Sequence, residues 1–158
     1  MMQIYFFRYT RMNKETFKLL LKKTKPYLTK SSKRAFSPEH RLIITLRFLA
    51  TGDQILSLAL AFRCGESTIR KVIQETCQVI TQVLQPSYLC LPTKEEWKNI
   101  CSGFLERLCR ARRTIENTFE ILSSRWRIYR KPINTHPKYV DKIIMAIRML
   151  KETISGEW

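Results

Sequence analysis

Residues 110–130 read RARRTIENTFEILSSRWRIYR, and Glu116 within them is a side chain that could do chemistry. A carboxylate there has two readings. It could ligate a divalent cation and so serve phosphoryl chemistry. Or it could pair with Arg112 and Arg113, four and three residues earlier on the same helix face, for about 0.2–0.5 kcal/mol. Other chemistry-bearing residues are sparse. The cysteines at 64, 77, 90, 101 and 109 make no CxxC pair, and the histidines are His40 and His136 alone. No zinc site is readable from these, and free thiols in a reducing compartment are the better reading.

Helices must position these residues. Asn13 can cap a helix over 14–28 that lines up Phe17, Leu20, Leu21, Thr24 and Leu28. A basic loop, TKSSKRAFS (29–37), follows. Ser37 and Pro38 open the next helix, which carries Leu42, Ile43, Leu46, Phe48 and Leu49 and stops at TGD (51–53). A short helix at 54–62, a break at 63–66 and a helix from Ser67 to about Leu84 come next, with Pro86 ending it. Thr93 and Glu96 have capping-box spacing. A helical pattern then runs through Phe104, Leu108, Ala111, Ile115, Phe119 and Leu122, interrupted by Gly103. Residues 124–137 read as extended. A last helix over 138–154 aligns Val140, Ile143, Ile144, Ile147, Leu150 and Ile154. With no strand pair, hairpin turn or phosphate loop in view, the class is all-α, a helical bundle of six or so helices.

The pair 54–62 and 67–84 has the length and turn of a helix-turn-helix, with Gly65 expected to supply the permissive backbone. In that geometry Ser67, Thr68, Arg70, Lys71 and Gln74 would face the major groove. Any bundle contains short turns, however, and Glu66 and Glu75 would repel phosphate. The basic loop with Lys33 and Arg34, together with Arg41 and Arg47, tilts the reading toward DNA by supplying phosphate affinity. The formal net charge of +16 over 158 residues agrees with it. Residues 1–50 hold 12 Lys+Arg against two acids, 51–100 five against five, and 101–158 12 against six. Ile4–Phe7 is too short an apolar run for a leader or a membrane span, and no other stretch could cross a bilayer, so a nuclear protein, with the cytoplasm as second location, is expected.

The stretch LRFLATGDQILSLALAFRCGESTIRKVIQETCQVI (46–80) resembles the PIF/Harbinger transposases and the nucleases derived from them, a branch of the DDE superfamily. VLQPSYLCLPTKEEWKNI (83–100), FRYTRMNKETFKLLL (7–21) and residues 110–144 extend the likeness. By this resemblance residues 1–92 form an N-terminal helical domain with the helix-turn-helix at 54–84. Residues 93–109 are a connecting helix, and 110–158 are the orphaned last helices of an RNase H-like nuclease domain. The family's central core, with an IDG-like strand and a GD-x-GY-like loop, has no counterpart, and the join falls near Leu108. A degenerate element copy, an exon-skipped form or an imperfect gene model would each produce this chain.

The resemblance makes Glu116 the family's third carboxylate, catalytic and metal-binding in intact relatives, which use Mg or Mn. Two-metal phosphodiester cleavage needs several oxygen ligands. The only aspartates are Asp53, in the TGD turn, and Asp141, in the first turn of the last helix. Glu116 is therefore expected to be vestigial, and this chain to need no cofactor. Glu120 stands where the family shows a glycine after ENxF, and IRMLKETISGEW replaces an LHN-like ending. The family also works with a Myb/SANT-like nuclear partner.

RWRIYRK (125–131) offers Arg125, Arg127, Arg130 and Lys131 to a nucleic-acid backbone and Trp126 to base stacking. Against this stands an orphan segment with Trp126 and Ile128 exposed or loosely packed, the reading favoured for specificity. The expected function is a transposase-derived binder of double-stranded DNA with an incomplete nuclease domain. A Harbinger-type metal-dependent nuclease, and a module that docks a Myb/SANT-like protein, are the alternatives.

Overall fold

Capping and apolar periodicity fix where the helices begin and end. The computed structural model describes residues 2–32, 35–88, 93–102, 104–133 and 135–154, with side chains from Tyr5 onward except those within 99–114 and at 154. Among the described residues the chain is all-α. The helices are α1 (Met2–Thr10), α2 (Lys14–Leu28), α3 (Pro38–Thr51), α4 (Ile55–Ala61), α5 (Glu66–Tyr88), α6 (Lys94–Ser102), α7 (Phe104–Arg125) and α8 (Pro137–Ile154). A 3-10 turn, Arg127–Arg130, links the last two.

The local stops and starts follow the side chains. Asn13 accepts from the Thr16 N–H at 2.8 Å and opens α2. Ser37 accepts from the His40 N–H at the head of α3, with Pro38 at the first helical position. Thr93 and Glu96 bond reciprocally at the start of α6. Pro86, expected to end α5, sits inside it, and the helix runs on to Tyr88. A proline removes one hydrogen bond to the carbonyl four residues back, which an exposed last turn tolerates; Pro26 does the same in α2.

One hydrophobic cluster draws on α2, α3, α4, α5, the 3-10 turn and α8. α5 supplies Ile69, Val72, Ile73, Cys77, Ile80 and Leu84, and α8 lies along it, contributing Ile143, Ala146, Ile147, Met149 and Leu150. Ile144, expected on that inward face, is exposed instead, one residue round the helix from Ile143. Two further expectations are corrected. Residues 127–130 are a helical turn rather than extended backbone. Trp126 and Ile128, expected to be exposed or loosely packed, are 1% and 3% exposed: both belong to the core cluster, and the turn that follows Trp126 packs on α3 through Ile128. Trp126 is thereby withdrawn from any stacking role.

The contact between α3 and the turn depends on Gly52. This residue is left-handed (φ 62°) and donates its N–H to the Phe48 carbonyl at 2.8 Å, closing α3. A Cβ there would lie 3.1 Å from Ile128 Cα and 3.3 Å from its nitrogen. Gly52→Ala is therefore expected to destabilise the protein by more than the about 1–2 kcal/mol that left-handed backbone costs an L-residue. Gly65→Ala should change stability by less than about 0.5 kcal/mol, since the lost cap preference is offset by a less flexible unfolded chain. Its Cβ would meet only Ser67 Oγ, at 3.8 Å. Urea denaturation of the two variants compares them directly.

Candidate nucleic-acid interface

The α4–α5 pair turns through Phe62–Gly65. The left-handed residue of that turn is Arg63 (φ 51°), not Gly65 as the sequence suggested. Gly65 holds the cap position of α5 instead, its carbonyl accepting from the Thr68 and Ile69 N–H groups at 3.0 and 3.2 Å. With no Cβ to clash, glycine was the obvious candidate for positive φ. The turn's own hydrogen bonds, Arg63 N–H to the Leu60 carbonyl and Cys64 N–H to the Ala59 carbonyl, place the left-handed residue two positions earlier.

α5 turns its apolar residues inward, so its first two turns present Ser67, Thr68, Arg70 and Lys71 outward, all exposed, with Gln74 half-buried behind them. Arg70 is paired with Glu66 at 3.3 Å along the helix. A cleft of about 620 Å³ lies beside this surface. Its walls include Asp53 and Gln54 from the α3–α4 corner, Glu66 and Arg70 from α5, and Lys131 with Ile133 beyond the 3-10 turn.

The charges are distributed differently from the expectation. Arg41 is buried in an ion pair with Glu75, which also binds Lys30 at 3.2 Å. Arg47 pairs with Asp53 at 3.3 Å and lies over the Tyr9 ring. Neither arginine is therefore free to supply phosphate affinity, and Glu75 is a neutralised carboxylate facing α3 rather than a source of repulsion. Arg125 is 7% exposed; its Nε donates to the Arg11 carbonyl at 3.0 Å, and its guanidinium lies over Phe7, so it too leaves the expected contact surface. Arg127, Arg130 and Lys131 remain exposed. Lys33 and Arg34 fall outside the described residues.

Glu116 is exposed on α7, and the side chains of Arg112 and Arg113, its expected partners, lie outside the described ones. Asp53 is engaged with Arg47, and Asp141 lines a separate shallow cleft with Gln78, Gln82 and Lys142. Among the described residues no three His, Cys, Asp or Glu side chains come together. These three carboxylates do not form a ligand set for a divalent pair. Cys64 and Cys77 are free thiols, and burial pushes Cys77 up to about 12, which makes it an inert core residue. No described helix is long and apolar enough to cross a membrane.

No family model, curated protein or solved structure matches this chain.

Proposed function

We propose that this chain is a double-stranded DNA-binding protein that uses α4 and α5 as a helix-turn-helix. In this reading it descends from a PIF/Harbinger-type transposase and works in the nucleus without a complete nuclease site. The observation that carries it is the start of α5. Its apolar side is committed to the core, while Ser67, Thr68, Arg70 and Lys71 stand outward together on the part of a second helix that would meet a major groove. Of the two acids that argued against phosphate nearby, Glu75 is neutralised by Arg41 and Lys30, and Glu66 is paired with Arg70.

Binding selection on a randomised duplex library, followed by Arg70→Ala plus Lys71→Ala, tests the proposal. The double variant should lose about 1–3 kcal/mol of discrimination at one or more base positions while keeping residual non-specific binding. Wild-type binding that is weak and flat with salt would sink the DNA reading, because phosphate contact obliges a steep negative slope.

A further inference from the structure

Arg8 lies in the last turn of α1, and Arg11 follows the helix in left-handed backbone (φ 56°). The Arg11 carbonyl receives the Arg125 Nε, which ties this corner to the 3-10 turn where Arg127 and Arg130 stand. Arg130 is fixed through its Nε to the Ser123 carbonyl at 2.9 Å, and Arg8 and Arg127 are exposed. Arg11 is half-buried, and its Nε is shielded from water with no hydrogen-bond partner. Burial, and then the charges of Arg127, Arg130 and Arg8, lower the Arg11 pKa. Among the described residues no carboxylate pairs with any of them, whereas Arg41, Arg47 and Arg70 each have one.

We infer that Arg8, Arg11, Arg127 and Arg130 form a phosphodiester clamp, assembled from two segments distant in sequence, that grips the duplex backbone beside the reading helix. Four guanidinium groups held together without an acid repel one another, and an oxyanion relieves that repulsion. Their planar donor forks match phosphate oxygens. The location selects nucleic acid as the source of phosphate. Lys131, the residue after Arg130, lines the same cleft as Arg70 and Glu66, which brings one flank of the cluster toward the start of α5. The clamp rests on the DNA-binding reading and extends its footprint to residues that the sequence did not single out, Arg8 and Arg11.

The test is Arg8→Gln plus Arg127→Gln in the full chain. Among the described residues neither side chain makes a hydrogen bond or ion pair, so the fold should survive, and circular dichroism checks this. Affinity for a random-sequence duplex is measured against NaCl concentration. The slope of log K against log salt should become shallower by about two units, with roughly tenfold or greater loss of affinity at low salt and unchanged sequence preference. An unchanged slope overturns the clamp while leaving the α5 reading standing, since Arg70→Ala plus Lys71→Ala reports on that separately. If the wild type binds no duplex, the DNA reading fails and inorganic phosphate becomes the probe. Thermal stabilisation by phosphate over chloride at constant ionic strength, lost in the double variant, supports an oxyanion site; its absence overturns one. Vesicles of phosphatidylcholine with phosphatidylserine form the last arm. Variant-sensitive binding to them that is tighter than to duplex would overturn the nucleic-acid assignment.

Discussion

Trp126→Ala is expected to destabilise the fold by about 3–5 kcal/mol, read as a fall in the urea midpoint at constant slope. The indole is 1% exposed and belongs to the same cluster as Leu42, Leu46, Leu49 and Ile128. Removing it loses transfer free energy and leaves a void. The surroundings cannot collapse to fill that void easily. The Trp126 backbone N–H donates to the Leu122 carbonyl at 2.8 Å and holds the chain in place whatever the side chain, and Gly52 pins the turn's backbone from the other side. Trp126→Phe should recover much of the loss. Trp97, 52% exposed on α6, provides the control, and its alanine variant should stay within about 0.5 kcal/mol of the parent. A Trp126 variant that unfolds with the Trp97 control would show that the turn is not part of the core.

The second large effect belongs to Glu75. Glu75→Ala should cost roughly 2–4 kcal/mol, because it leaves the Arg41 guanidinium buried without its counter-charge. Arg41 Nε already lacks a partner, so little local solvation can compensate. Replacing both residues, Arg41→Met with Glu75→Leu, should recover most of the stability, since it removes the burial penalty along with the attraction. The pair also sets a pH dependence. Burial by itself would raise the Glu75 pKa, but hydrogen bonds from Arg41 and Lys30, with their charges, outweigh it and hold the carboxyl below the usual range. The unfolded chain therefore binds more protons in that window. The contribution is fully present above the ordinary glutamate pKa of about 4.3 and is lost as pH falls through the depressed folded value. Glu75→Gln should flatten the acid limb of the stability curve, as followed by thermal melts from neutral pH downward. An acid limb as steep as the parent's would assign the loss to other carboxylates.

What was legible in the sequence was local. Asn13, Ser37 and the Thr93–Glu96 pair announce helix starts through bonds that span three residues, and the inward faces of α2 and α5 repeat at helical spacing. What was not legible depends on partners far along the chain. Arg41 looked like a phosphate ligand until α5 brought Glu75 against it, 34 positions away. Arg125 looked equivalent to Arg127, yet one faces the Arg11 carbonyl and the other solvent, because Arg125 is the last residue of α7 and Arg127 the first of the 3-10 turn, with the helix broken between them at Trp126. Trp126 carried no periodic signal in a stretch this short, and only its place in the core cluster, assembled from distant helices, decides its burial. Ile144 misled in the opposite direction, since hydrophobicity alone does not tell which of two adjacent isoleucines a helix turns inward.

The bond from Arg125 to the Arg11 carbonyl closes a separation of 114 positions, and α5 receives its cover from α8 only after the intervening helices have been made. Such long-range closure is slow relative to helix formation. During synthesis α2, α3 and α4 can cover part of the apolar side of α5 at once, but the part that α8 covers must wait for a helix that has yet to leave the ribosome, and an exposed strip of that kind suits a holding chaperone.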